Sequence, residues 1–197
     1  MQRCIFSVEM TSGGDVDKIL LRFIDICRLK AAPQDLPSSK LLMGITLFAY
    51  GVMALLLTVG EMGLGSAIQI GVVDALLLAG LAYIMLWVID TTERYVQMVT
   101  AMAGSCALLE LLLWPLLMLQ QYGANDGGMF FVVIATFLLW AWLIWEVAII
   151  ANIIKHGLDA SIWMALIISL FYIFISYGVM RTLFFTPEVA TAVAPVT

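Results

Sequence analysis

The chain has 197 residues, 63% of them hydrophobic and 12% charged, with a formal net charge of −5. A soluble domain carries about 45–50% apolar and about 25% charged residues, so a mean hydropathy of +1.07 excludes a cytosolic enzyme and an intrinsically disordered chain. The acidic balance, with a pI near 4.6, argues against a phosphate-backbone partner, and no nucleic acid is expected.

The sequence predicts an all-α, polytopic integral membrane protein. Residues 1–40 read as a cytoplasmic N-terminal segment, 41–185 as a five-helix transmembrane domain and 186–197 as an outer tail. Met1 and Met10 are alternative starts. Between residues 15 and 30, Val16, Ile19, Leu20, Phe23, Ile24 and Cys27 share one helical face, with Lys18, Arg22 and Asp25 away from it. Two placements are open for this amphipathic helix. It can lie in the inner headgroup region with Lys18, Arg22, Arg28 and Lys30 as membrane-surface contacts, or pack on the protein's own spans. Pro33-Gln34-Asp35-Leu36-Pro37 then stops helix propagation, and Ser38 or Ser39 can N-cap the first span.

Five apolar runs follow, at 41–59, 66–89, 96–119, 129–154 and 161–180, and about 20 residues suffice to cross roughly 30 Å of hydrocarbon. The separators at 60–65, 90–94, 120–128 and 155–160 carry turn chemistry and are too short for an extramembrane domain. The second, third and fourth runs each hold one acid, Asp74, Glu110 and Glu146. Ionisable residues at such depth are costly and default to a functional hypothesis. Counting about 1.5 Å per residue, Asp74 and Glu110 both lie roughly 12–14 Å below the outer boundary and can meet. Glu146 lies deeper, either in the interior or at an oligomer interface. Against the functional reading stands a plain one: neutral, hydrogen-bonded carboxyls that serve helix packing. Trp140, Trp142 and Trp145 fall within the fourth run and read as packing, and His156 as a loop residue at headgroup level.

Eight of the nine basic residues, Arg3, Lys18, Arg22, Arg28, Lys30, Lys40, Arg94 and Lys155, fall on one side, against Arg181 on the other. That asymmetry predicts a cytoplasmic N-terminus and an outer C-terminus. No early apolar run with a small-residue cleavage site suggests a signal peptide. Cys4, Cys27 and Cys106 have no metal-site spacing, and His156 is the single histidine. No nucleotide-binding or hydrolase motif occurs. An enzyme is therefore not expected, nor a cofactor or metal.

Three stretches resemble the YIP-type (Rab-GTPase-interacting) membrane-protein family, and most closely its small bacterial relatives. They are Pro33-Gln-Asp-Leu-Pro37, Arg94-Tyr-Val-Gln97 leading to Ala103-Gly104, and Trp145 through Ala151-Asn-Ile-Ile-Lys-His156 to Ala160. The eukaryotic branch carries Asp-Leu-Tyr-Gly-Pro where this chain has Asp35-Leu36-Pro37. The resemblance implies five spans, a cytoplasmic N-terminal segment, a short outer tail and no enzymatic activity. Only through this resemblance is a bacterial inner membrane the expected location.

The function expected on these grounds is that of a non-enzymatic accessory or organising factor. It would act through helix–helix or membrane-surface contacts, with the lipid bilayer and a membrane-protein partner or a second copy as its partners. The alternative is a small proton- or cation-coupled transporter or channel subunit using Asp74 and Glu110.

Overall fold

The structure is a computed structural model that describes residues 13–184, with the backbone alone for 13–16, 126 and 127. Arg3, Cys4, the two candidate start sites and the expected tail at 186–197 lie outside the described residues. The described chain is all-helical: α1 (Gly13–Cys27), α2 (Lys40–Val88), α3 (Tyr95–Tyr122), α4 (Met129–Gly157) and α5 (Ile162–Phe184). Four of these, α2 to α5, are long and apolar enough to cross a membrane.

Five runs were expected, and the first two are joined in the 49-residue α2. The turn expected over 60–65 is compressed to Gly63, whose φ of 77° and ψ of 163° lie outside helical geometry. Glycine has no Cβ to oppose that backbone conformation. In a straight helix Tyr50 and Asp74 would stand about 36 Å apart. Instead they hydrogen-bond at 2.6 Å. Helix α2 is therefore a hairpin, with arms at 40–62 and 64–88. The arms meet at Gly51 and Gly71, where a methyl group added to Gly71 would run into the Gly51 carbonyl. Small residues are what permit such close helix packing.

Ser39 caps α2 as expected, its Oγ accepting from the Leu42 N–H at 3.4 Å. A short 3-10 turn follows at Thr92–Arg94, α3 runs on into a π-helical turn at Gly123–Gly127, and Gly128, with a φ of 77°, precedes α4 as its N-cap. Lys40, Arg94 and Lys155 mark one end of the bundle, here called the basic end, and Gly63 and Gly128 the other. Helix α3 is central: every residue from Met98 to Cys106 is buried. It packs against α1, α2 and α4. Its run of Ala101, Ala103, Gly104 and Ser105 lets neighbours approach from all sides.

Helix α1 lies against α3 and α4, the second of its two expected placements. It ends at Cys27, short of the expected residue 30, because Leu29 turns the chain with a φ of 60°. Its buried face is also rotated from the expected one. Phe23 and Ile26 are buried, whereas Leu20 and Ile24 are 49% and 44% exposed. The reason is the seat: Phe23 fills the space that a side chain at Gly104 would occupy. Lys18, Arg22, Arg28 and Lys30 present exposed side chains.

Candidate functional site

The intramembrane acids converge. Asp74 comes from the second arm of α2, Glu110 from α3 and Glu146 from α4. Tyr50, on the first arm, donates its hydroxyl proton to Asp74 Oδ2 at 2.6 Å, and the Ser176 hydroxyl of α5 stands beside the same carboxyl. Glu110 lies within electrostatic range of both Asp74 and Glu146, and Tyr172 of α5 within range of all three. At 1.5 Å per residue, the three acids sit about 16–26 Å along their helices from the Gly63 end. Both arms of α2 and each of α3, α4 and α5 thus contribute to one polar centre.

Asp74 and Glu110 lie within electrostatic range of each other, with no direct hydrogen bond between them among the described residues, and Glu146 is half-buried within range of both. Tyr50, Tyr172 and Ser176 were missed as members. A tyrosine in the middle of an uncharged run was the available signal, since a buried tyrosine hydroxyl usually has a partner. Residues 41–180 contain two Lys or Arg, Arg94 and Lys155, both at helix ends. Among the described residues, no Lys or Arg lies among the charged neighbours of the three acids. One oxygen of Glu110, Oε2, is fully buried and has no hydrogen-bond partner among the described residues. Among the described residues no three His, Cys, Asp or Glu side chains stand close enough to hold a metal ion. Such a centre can hold and pass protons, or receive a small cation on carboxyl and hydroxyl oxygens.

Cys106 lies one helical turn from Glu110 and is buried, a small apolar filler as expected. At the Gly63 end, a cleft of about 610 Å³ opens between the first arm of α2 and α3, lined by Leu57, Glu61, Trp114, Gln120 and Gln121 among others. Trp114 is one turn from Glu110, but none of Tyr50, Asp74, Glu110 and Glu146 lines the cleft.

The three tryptophans of α4 differ in role. Trp142 donates its indole N–H to the Leu109 carbonyl at 3.1 Å and Trp145 to the Cys27 carbonyl at 3.1 Å. Trp140 is 62% exposed, a correction to the packing role expected of all three. Helix α4 is apolar all round, so the sequence could not choose which tryptophan faces inward.

A second polar cluster sits at the basic end. The elbow forms a short turn, Pro33–Asp35, closed by the Ala32 N–H donating to Asp35 Oδ2 at 2.9 Å. Gln34 Nε2 donates to the His156 carbonyl at 2.8 Å, Gln97 Nε2 to the Leu36 carbonyl at 2.9 Å and Asn152 Nδ2 to the Ala31 carbonyl at 3.5 Å. Arg94 pairs with Asp159 at 2.7 Å and reaches the carbonyls of His156 and Gly157. His156 itself belongs to the last turn of α4 rather than to a loop, its Nδ1 standing 2.8 Å from the Asn152 carbonyl. The elbow is thus more than a break between helices; it is tied to α3 and α4.

Comparison with protein-family models, with curated proteins and with solved structures returns no match to this chain.

Proposed function

We propose that this is a non-enzymatic, five-span membrane protein that takes up protons or a small cation at the Asp74–Glu110–Glu146 centre, as a small transporter or channel subunit. The observation that carries the reading is that both arms of α2 and each of α3, α4 and α5 bring a polar side chain within electrostatic range of the same acids, with no Lys or Arg among their charged neighbours in the described residues. Packing alone needs no such convergence, and intramembrane acids that face a bundle interior commonly mark ion or proton pathways. The five-span topology rests on the hairpin at Gly63: arms of 23 and 25 residues measure about 34 and 37 Å, each enough for the hydrocarbon core. The basic asymmetry supports a cytoplasmic basic end, and the resemblance to small bacterial relatives of the YIP-type family is what suggests a bacterial inner membrane.

A second reading, an accessory or organising factor, draws on the N-terminal cluster. The three stretches that carry the YIP-type resemblance touch one another there, through Leu36 and Gln97 and through Gln34 and His156. In that reading, α1 with Lys18 and Arg22, and the turn after it with Arg28 and Lys30, face anionic lipid or a partner at the membrane surface.

Purified protein in liposomes enclosing a pH-sensitive dye separates the two. The transport reading expects proton flux, or cation-dependent proton flux, that an Asp74→Asn, Glu110→Gln double variant loses while folding normally. Flux absent from the wild type across a panel of monovalent cations removes it. Recovery of a stable partner after crosslinking in mild detergent then favours the second reading.

A further inference from the structure

The cleft at the Gly63 end is separate from the carboxyl centre, and its chemistry changes along its length. Leu56, Leu57, Trp114 and Leu117 line the deeper part. Leu56 stands seven residues before Gly63, and Trp114 eight before Tyr122. The cleft therefore runs about 10–12 Å down the first arm of α2 and down α3. That is most of one leaflet, half of the roughly 30 Å hydrocarbon core. Leu56 and Trp114 are each 44% exposed, so the apolar part is open to what surrounds the bundle.

The other end of the cleft, where the helices finish, is lined by Glu61, Gln120 and Gln121. Glu61 is the one charged residue of the lining among the described residues, and no Lys or Arg lines it. The side chains of Glu61, Gln120 and Gln121 make no hydrogen bond or ion pair among the described residues. Two primary amides offer N–H donors that suit phosphate oxygens, and a carboxylate accepts from an ammonium group. A cleft of about 610 Å³, apolar over most of its lining with a few polar groups gathered at one end, has the make-up of a ligand site.

The geometry points to a site for one phospholipid with a primary-amine headgroup, of the phosphatidylethanolamine type, in the leaflet at the Gly63 end. An acyl chain lies along Leu57 and Trp114, the ammonium meets Glu61, and the phosphate is offered to the amides of Gln120 and Gln121. Two features favour this occupant. The polar-to-apolar order along the cleft is that of a leaflet, and a lone carboxylate on the rim attracts an amine and repels an anionic headgroup. The site is independent of the role proposed for the carboxyl centre.

Full-length protein is placed in bilayer discs of phosphatidylethanolamine and phosphatidylglycerol in equal parts, each lipid in turn carrying a photoreactive acyl chain. Peptides that carry lipid are then identified by mass spectrometry. Adducts of the ethanolamine lipid concentrate on residues 56–61 and 114–124. There they exceed those of the glycerol lipid about two- to fivefold, the range of an exposed ion pair. Glu61→Gln removes the preference and Glu61→Lys reverses it, a gain that misfolding cannot produce. Gln120→Ala combined with Gln121→Ala lowers the adducts of both lipids. Adducts no denser at the cleft than on the exposed faces of α4 and α5, around Phe137 and Phe174, overturn the site, since they mark ordinary surrounding lipid. A preference unchanged in Glu61→Lys does the same. So does a disulfide between two copies carrying Leu56→Cys that forms as the adducts are lost, which would give the cleft to a second copy of the chain.

Discussion

The Tyr50 hydroxyl donates to the Asp74 carboxyl at 2.6 Å, joining residues 24 apart within one helical element. The bond closes the α2 hairpin and supplies its half-buried carboxyl with a donor. Tyr50→Phe keeps the ring and deletes that donor. Leaving a buried polar group short of a partner costs about 1–3 kcal/mol, so the variant is expected to be less stable by that amount in detergent unfolding. An unchanged midpoint would show that Ser176 or water satisfies Asp74 alone.

The approach of the two arms at Gly51 and Gly71 gives a second expectation. Gly71→Leu forces a side chain into the Gly51 backbone, whereas a Cβ at Gly80 on the same arm meets nothing within 4 Å. Overpacking of this kind costs about 1–3 kcal/mol. Gly71→Leu should therefore lower thermal stability while Gly80→Leu leaves it nearly unchanged. Equal behaviour of the two variants would contradict the close packing of the arms.

The hairpin places Leu64 and Thr92 at opposite ends of the second arm, and both are exposed. Single cysteines at these positions, in a chain otherwise free of cysteine, should label with an impermeant maleimide from opposite sides of the membrane. Labelling of both from one side would show that the second arm does not cross.

Cys27 lies outside the spanning helices, and burial pushes its thiol from the usual 9.0 up to about 11. A pKa raised by about two units lowers the thiolate fraction near neutral pH by about a hundredfold. Because the folded state favours the neutral thiol, its contribution to stability is complete below pH 9 and is lost as the pH rises toward 11. Alkylation of Cys27, followed by mass spectrometry, should stay slow at pH 8 and keep rising beyond pH 9. A plateau near pH 9 would mean that α1 is not seated on α3 and α4.

Much of the helical layout was legible in the sequence, since α3, α4 and α5 start and end within about four residues of the apolar runs. Apolar length and turn chemistry decide such boundaries locally. That Asp74 and Glu110 fall in the middle turns of their helices was equally legible, because the helical rise converts residue counts into distance. The rotation of each helix about its axis was not. Helix α4 is apolar on every side, so periodicity could not say whether Glu146 faces the interior or a neighbour, and the tertiary packing leaves it half-buried. Helix α1 has apolar residues around most of its circumference. The absence of a side chain at Gly104 chose Phe23 and Ile26 over Leu20 and Ile24. The segment 60–65 reads as a loop by composition, yet the contacts of Tyr50 with Asp74 and Gly51 with Gly71 draw the arms together until Gly63 alone makes the turn. Local sequence determined which residues are helical and where along each helix they fall; tertiary contacts decided which faces meet, because the facing surface of an apolar helix is a property of its neighbours.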